Sequence, residues 1–214
     1  MRLETGRASR ALPLSASVAA LQRQSDATAM ARVAEGDTSA FTLLVRRHSP
    51  ALYRVGMRML GDSHEAEDVV QECFVRLWQQ APRWRASGAG LVGWLYRAAM
   101  NLCFDRFRKF RVVTADSLPE LADGALLADG LIEADEARHA VIRALADLPE
   151  RYRAALVLCY YEGLSNSLAA EVLELNVKAM ESLLFRARKQ LRELLEARQF
   201  TPHDLLSCYA ERAA

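Results

Sequence analysis

The sequence predicts an all-α protein of two small helical domains joined by a flexible acidic linker. Apolar residues recur at spacings of three and four along most of the chain, which is the period of a helix. Capping and helix-breaking residues divide this pattern into separate segments. Acidic residues concentrate between two basic helical blocks. With 214 residues, of which 51% are hydrophobic, the chain is long enough for one or two domains with a core.

The domain boundaries follow from the same pattern. We expect a disordered leader over residues 1–28, a first domain over 29–112, an acidic linker over 113–139, a second domain over 140–198 and a tail over 199–214. The net charge is only +1, so the whole chain is not a polycation. Any surface that binds an anionic polymer must therefore be local.

The second domain carries three helical patterns separated by two short breaks. The run Asp147-Leu148-Pro149-Glu150 predicts the start of the first helix, with a capping residue followed by a proline in the first turn. Gly163 ends that helix, Ser165 caps a second and Asn176 caps a third. Breaks this short require closely packed helices. The layout is a helix-turn-helix, and duplex DNA is the first partner to consider.

The third of these helices has a basic outer face. Its acidic residues are Glu181 and Glu193. Its more numerous basic residues are Lys178, Arg186, Arg188, Lys189 and Arg192. Side chains near the start of such a helix reach base edges, and arginines further along suit phosphate. An ordinary helical bundle with a solvated basic face would show the same pattern. Periodicity alone leaves both interpretations open.

The first domain contains a helix that is acidic on one side and apolar on the other. The motif His48-Ser49-Pro50 predicts an interruption before it, and Gly61 and Asp62 mark where it begins. Bulky apolar residues form a broad inner stripe, while Glu65, Asp68 and Glu72 align on the outside. An acidic ridge beside bulky apolar residues suits a basic protein partner.

A metal or acid-base site at these carboxylates and His64 is the weaker interpretation. Carboxylates in a first helical turn are already explained by the helix dipole. The sequence has no second group of histidine and carboxylates that could complete such a site. We expect no catalytic residue, no metal and no cofactor.

The loop after the acidic helix places Trp84 between Arg83 and Arg85. A tryptophan between arginines can stack on an unpaired base while the guanidinium groups hold phosphate. It can also be a core anchor beneath the loop. The next helix ends in residues 105–111, where aromatic and cationic residues alternate, and this composition favours partly opened nucleic acid strands.

Cysteine usage and hydropathy indicate a cytoplasmic protein without membrane insertion. The four cysteines lack metal-ligand spacing, and we expect buried reduced thiols; they are Cys73, Cys103, Cys159 and Cys208. The longest apolar run, residues 154–161, is far shorter than a membrane span.

Several motifs, in order, resemble the extracytoplasmic-function (ECF) group of bacterial RNA polymerase sigma factors over about residues 29–197. Residues 65–78 resemble the family's polymerase-binding helix. Gly93-Trp94-Leu95 with Asn101 and Asp105-Arg106 resembles its strand-opening helix, and residues 148–158 and 184–188 resemble sigma domain four. The resemblance implies an alternative-type sigma factor that binds core polymerase through its beta-prime and beta subunits, recognises promoter DNA and is held by an anti-sigma factor.

The resemblance also implies a role for particular residues. Those expected to bind polymerase are Asp68, Gln71, Glu72, Phe74 and Trp78. Those expected at the minus-10 element are Trp84, Arg85, Asn101, Arg106, Arg108 and Lys109. Those expected at the minus-35 element are Lys178, Glu181, Ser182, Arg186 and Lys189.

Three positions depart from the family pattern. Glu174 stands where members usually have a glycine in the turn, and it tolerates a left-handed conformation poorly. Glu181 and Leu183 stand where basic residues are common. Because glutamate accepts a hydrogen bond from cytosine N4, the departure fits an altered base preference. It also supports one alternative, a sigma-like decoy that sequesters an anti-sigma factor. The terminal domain alone fits a further alternative, a helix-turn-helix repressor.

Overall fold

The computed structural model describes residues 16–85, 88–114 and 132–198, and every regular element in those ranges is helical. The elements are α1 (Ala16–Ala34), α2 (Thr38–Leu60), α3 (Ser63–Gln80), a 3-10 turn (Ala81–Arg83), α4 (Gly90–Thr114), α5 (Ile132–Ala146), α6 (Glu150–Leu156), a π-helical continuation (Val157–Tyr161), α7 (Asn166–Val172) and α8 (Val177–Glu196). The predicted all-α class is confirmed. Among these described helices, none is both long and apolar enough to cross a bilayer.

Helices α1 to α4 form the first domain. We call it domain two, because it corresponds to sigma domain two of the family that the chain resembles. Helices α2 and α3 approach each other closely, since a Cβ on Gly56 would lie 2.9 Å from the Cα of Ala66. Glycine is therefore required at residue 56 for the two helices to pack at this distance. The apolar stripe predicted for α3 does enter the core, with Val69, Cys73 and Leu77 fully buried.

Helix α1 corrects the prediction of a disordered leader over residues 1–28. The helix begins at Ala16, and Met30 and Val33 on its inner side are buried. Its Asp26 is 2% exposed and pairs with Arg47 and with His48, whose Nε2 lies 3.1 Å from Asp26 Oδ2. Burial raises the pKa of Asp26, but hydrogen bonds from His48 and Arg47 outweigh it and the pKa is lowered. This ion-pair cluster has no periodic signal in the sequence. Residues 1–15 lie outside the described ranges.

Helix α2 does not break at Pro50, contrary to the prediction. It runs without interruption from Thr38 to Leu60, and Leu44 and Leu52 on either side of the proline are both buried. Burial of both halves in one core outweighs the hydrogen bond lost at proline.

Helices α5 to α8 form the second domain, domain four, and most of its predicted boundaries are confirmed. Gly163 has a φ of 69°, Ser165 Oγ accepts a hydrogen bond from the Leu168 N–H at 3.2 Å, and Asn176 Oδ1 accepts one from the Ala179 N–H at 2.8 Å. The prediction for Asp147 is wrong. Pro149 occupies the cap position of α6 without a side-chain bond, and Asp147 pairs with Arg198 instead.

The acidic linker is shorter than the predicted 113–139. Helix α4 extends to Thr114 and α5 begins at Ile132, so helices occupy both ends of that range. Residues 115–131 and the predicted tail over 199–214 lie outside the described part of the chain.

The cysteines are buried as predicted where the structure describes them. Cys73 and Cys103 are fully buried, and burial raises the pKa of each thiol to about 12. Cys159 is partly buried and burial raises its pKa to about 11. Such thiols stay protonated at neutral pH and are poor nucleophiles. Cys208 lies outside the described residues.

The two domains pack on one another, and one continuous core includes residues of both. Arg153 of α6 is central to this contact and only 7% exposed. Its guanidinium donates to the carbonyl oxygens of Met59 at the end of α2 and of Ala146 at the end of α5, and it lies 5.0 Å from the Phe107 ring centre. Burial lowers the pKa of Arg153. Sequence patterning gave no indication of this contact.

The turn of the helix-turn-helix is strained at one residue. Glu174 has a φ of 56°, and among the described residues it is the one non-glycine with a positive φ. Glu174 therefore adopts the left-handed conformation that we expected where family members usually have glycine.

Replacing Arg153 by methionine should destabilise the fold. The change keeps an apolar stem but leaves buried carbonyl oxygens without donors, which should lower the free energy of unfolding by about 2–4 kcal/mol. Urea unfolding measures this difference. The control is Arg151→Met on the exposed side of the same helix. Equal stability of the two variants would contradict the structural role of Arg153.

Replacing Glu174 by glycine should stabilise the fold by about 0.5–1 kcal/mol, because glycine carries no Cβ penalty in the left-handed region. The melting temperature measures this gain. Glu174→Ala is the matched control, since it removes the same carboxylate but keeps the Cβ. A gain of similar size in Glu174→Ala would mean that charge, and not backbone strain, is responsible.

Candidate protein and nucleic-acid interfaces

Asp68 and Glu72 of the acidic ridge on α3 face solvent, whereas Glu65 pairs with Arg106 of α4. Asp62 caps the helix by accepting from the Glu65 N–H at 2.9 Å, which sets where the ridge begins. Asp68 and Gln71 are exposed, and Glu72 is half-exposed with Arg76 Nε 2.8 Å from its carboxylate. The ridge can therefore meet another molecule without rearrangement of the helix.

An apolar patch accompanies the ridge. Trp78 is 38% exposed and packs edge-on against Phe41, with ring centres 5.0 Å apart. Val75, three residues earlier on the same side of the helix, is 49% exposed and was missed by sequence reasoning. Phe74 corrects the predicted set. It is 5% exposed and packs edge-on against Phe41, with ring centres 6.1 Å apart, so it is a core residue and does not lie on the surface.

A cavity of about 320 Å³ opens between the α3–α4 loop and the start of α4. Trp84 is half-buried in its wall and packs edge-on against Trp94, with ring centres 5.8 Å apart. The lining residues combine indole rings, guanidinium groups and small residues; they are Gln80, Arg83, Trp84, Arg85, Ala89, Gly90, Gly93, Trp94, Arg97 and Glu171. Trp84 is thus both an anchor of the loop and part of an accessible wall. Indoles stack on bases and guanidinium groups bind phosphate, so the lining suits an unstacked nucleotide.

The outer face of α4 continues away from this cavity. Asn101, Arg108 and Lys109 are exposed, and Arg108 pairs with Asp105 one turn back. Arg97, one turn before Asn101, also lies on this face and lines the cavity. It was absent from the predicted site, although its spacing from Asn101 would have identified it.

Arg106 corrects the predicted minus-10 set. Its side chain is 17% exposed and pairs with Glu65 of α3. Residue 106 follows the buried Leu102 and Cys103 by about one turn, so it faces α3 and not solvent. The alternation of aromatics and cations around it did not distinguish an outward cation from one that joins two helices.

The predicted minus-35 residues all lie on the exposed face of α8. Lys178, Glu181 and Ser182 occupy its first two turns, and Arg186 and Lys189 follow. Arg186 Nε lies 3.3 Å from the Ser182 carbonyl oxygen, and its Nη2 lies 3.4 Å from Ser182 Oγ. These weak local contacts hold the guanidinium beside the serine while both remain accessible.

One apolar residue on this face was missed: Phe185 is 65% exposed. Val177, at the start of the apolar side of α8, is 43% exposed. Phe185 follows Glu181 by one turn, so the two lie on the same side of the helix. Apolar side chains in a major groove contact thymine methyl groups, which makes Phe185 a candidate base contact. Leu183 points the other way and is 8% exposed, so it is a core residue of this chain.

Among the residues that the structure describes, no three histidine, cysteine, aspartate or glutamate side chains form a group that could hold a metal ion.

Comparison with known families identifies both domains. Residues 44–111 match the Sigma-70 region 2 family, and residues 138–191 match the Sigma-70 region 4 family. The acidic ridge, both tryptophans of the cavity and most of α4 fall in the first match, and Glu171 and most of α8 fall in the second.

The chain is similar in sequence to known sigma factors. The ECF RNA polymerase sigma factor SigE of Mycolicibacterium smegmatis is 34% identical over 169 residues, which cover 76% of this chain and 65% of SigE. The ECF RNA polymerase sigma factor SigW of Bacillus subtilis is 32% identical over 176 residues, which cover 77% of this chain and 93% of SigW.

Two solved structures of sigma factors have a similar fold. The structure of CnrH in complex with the cytosolic domain of CnrY has a TM-score of 0.61 at 30% identity and covers 81% of this chain and 98% of CnrH. The sigma factor RpoE in complex with the anti-sigma factor NepR from Bartonella quintana has a TM-score of 0.56 at 25% identity and covers 72% of this chain and 93% of RpoE. The chain therefore belongs to the ECF group of RNA polymerase sigma factors, which act in transcription initiation.

Proposed function

We propose that this chain directs core RNA polymerase to promoters by using three separate surfaces. The α3 ridge docks on polymerase, the tryptophan cavity with the outer face of α4 captures the minus-10 element, and α8 reads the minus-35 element. The observation that carries the proposal is the cavity, in which three guanidinium groups surround two indoles. A repressor that binds only closed duplex has no use for such a cavity.

The polymerase surface combines charge with apolar area. Asp68 and Glu72 steer a basic partner, and Trp78 with Val75 adds exposed apolar surface. Residues of this helix match the family's polymerase-binding helix, so the beta-prime subunit is the expected contact, with the beta subunit contacting other parts of the chain.

The minus-10 surface suits bases taken out of the stack. Trp84 and Trp94 offer ring faces and edges, while Arg85 and Arg97 offer phosphate ligands. Unstacking costs only a few kcal/mol, which stacking in a cavity can offset. Asn101, Arg108 and Lys109 extend this surface along α4.

The minus-35 surface mixes polar and apolar readers. Arg186 and Ser182 can bond base edges or phosphate, Glu181 can accept from cytosine N4, and Phe185 can contact a thymine methyl group. The departure at Glu181 therefore changes which sequence is preferred. Two modest DNA surfaces suffice, because polymerase holds both on one promoter and raises the effective concentration of each.

The remaining partners follow from the same assignment. RpoE, a relative, is seen with the anti-sigma factor NepR, and this supports an anti-sigma factor as a regulator of this chain. We place the chain in the cytoplasm, where polymerase and promoters are, and assign it no catalysis of its own.

Run-off transcription with core polymerase on a promoter library tests the proposal against its alternative. A sigma factor yields defined transcripts from a subset of promoters. A decoy binds an anti-sigma factor and produces no transcript, and a repressor protects duplex DNA without polymerase. Only the first result agrees with the three-surface assignment.

Replacing Asp68 by arginine should weaken binding to core polymerase roughly tenfold, because a like charge then meets a basic partner. A pull-down titration measures the affinity. Glu35→Arg, in the exposed turn between α1 and α2, makes the same charge change and is the control. If both variants keep the wild-type affinity, the ridge is not the docking surface.

Replacing Arg186 by alanine should reduce promoter binding by the holoenzyme at least roughly fivefold while leaving polymerase binding intact. Gel-shift titration at one fixed salt concentration measures the first and a pull-down the second. Arg143→Ala on the exposed side of α5 is the charge-matched control. Equal losses of both activities would mean that Arg186 is a structural residue.

A further inference from the structure

Glu171 of domain four is exposed and forms part of the wall of the tryptophan cavity of domain two. Its Oε1 accepts a hydrogen bond from the Ala89 N–H at 2.9 Å, immediately before α4 begins. A Cβ on residue 88 would lie 2.2 Å from this oxygen, so the contact depends on glycine at that position. The carboxylate thus lies at the positive end of a helix, in the wall of a cavity lined by arginines.

The backbone of the same residue makes a second contact. Arg97 Nη2 donates to the Glu171 carbonyl oxygen at 2.7 Å. Under the proposed function, Arg97 is one of the cavity residues that bind the phosphates of DNA. While it binds the end of α7, Nη2 of this guanidinium is engaged and the side chain is held against domain four.

A buried carboxylate fixes the domains together elsewhere. The Glu162 side chain is 2% exposed and receives hydrogen bonds from Arg54 Nη2 at 2.9 Å and from the Tyr96 hydroxyl at 3.2 Å. Arg58 Nη1 lies 3.5 Å from the same carboxylate. All three partners belong to domain two. Hydrogen bonding to Glu162 raises the pKa of Arg54, so the guanidinium stays charged.

Apolar packing completes the contact between the domains. Leu183 of α8 lines a small gap together with Phe104 of α4, Leu173 and Leu175. Leu183 is therefore turned toward domain two, where a charged residue would be costly to bury.

This arrangement cannot read a whole promoter. Base pairs rise by about 3.4 Å each, so positions 10 and 35 of a promoter lie about 85 Å apart. In the structure, domain four lies directly against the minus-10 surface.

We propose that the chain has a closed, autoinhibited arrangement in which Glu171 binds the Ala89 N–H and Arg97 in the wall of the minus-10 cavity and competes with the promoter strand for them. Glu162 and Leu183 hold the arrangement closed, and reading a promoter requires domain four to leave. The inference rests on the proposed function of the cavity. It adds that a residue of the chain itself binds the groups that would hold the promoter strand.

Substitutions at Glu171 test the competition. The probe is a fluorescein-labelled single-stranded oligonucleotide that carries the non-template minus-10 element of a promoter transcribed by the wild-type holoenzyme. Glu171→Ala should bind it roughly fivefold more tightly than wild type at fixed salt, because the closed fraction no longer reduces the apparent affinity. The radius of gyration from small-angle X-ray scattering should increase in the same variant.

Two further variants separate competition from charge. Glu171→Asp keeps the charge but shortens the side chain by one methylene, so its carboxylate no longer reaches the Ala89 N–H, and it should also bind the oligonucleotide more tightly than wild type. Glu196→Ala removes an exposed carboxylate near the end of α8 and should bind it as wild type does. A gain in Glu171→Ala that is matched by Glu196→Ala and absent from Glu171→Asp is a charge effect and overturns the inference.

The remaining outcomes distinguish the two proposals. If wild type and all variants bind the oligonucleotide with the same affinity and have the same radius of gyration, the cavity is open to DNA. The inference then fails and the proposed function stands. If none binds it and run-off transcripts are absent as well, the proposed function fails, and the inference fails with it.

Discussion

The structure depends on two charged side chains buried where the domains meet. Arg153 of domain four donates to the Met59 carbonyl oxygen of domain two, and Glu162 of domain four accepts from Arg54 and Tyr96 of domain two. A buried charge without partners costs several kcal/mol, so each must have these contacts or regain water. Partial separation would satisfy neither group. The contact is therefore suited to two discrete arrangements, closed and open.

The three surfaces of the proposed function differ in how they relate to that contact. The α3 ridge and the outer face of α8 are exposed while the domains are packed together, whereas Glu171 of domain four forms part of the wall of the cavity beside Trp84. Polymerase can therefore approach α3 before domain four leaves the cavity. Under the proposed function, docking can come first and capture of the minus-10 strand second, because only the second step requires domain four to move.

Local signals were read correctly from the sequence where hydrogen bonds close within a few residues. Ser165 and Asn176 cap their helices as expected, and Gly163 ends one. The errors lie where a side chain chooses between solvent and a distant helix. Arg106 pairs with Glu65, Phe74 is in the core, and the helix that contains Asp26 replaces a predicted leader. Residue type and spacing are the same for both choices, so pattern alone could not decide them.

The sequence by itself determined the helical class, the order of the elements and the chemistry available on each face, because helix period and caps depend on neighbours three or four positions away. The tertiary structure alone decided which of those groups are free. Glu171 and Ala89 are 82 positions apart, and Arg54 and Glu162 are 108 apart. Contacts at such separation arise from how whole helices pack, and no local pattern encodes that packing.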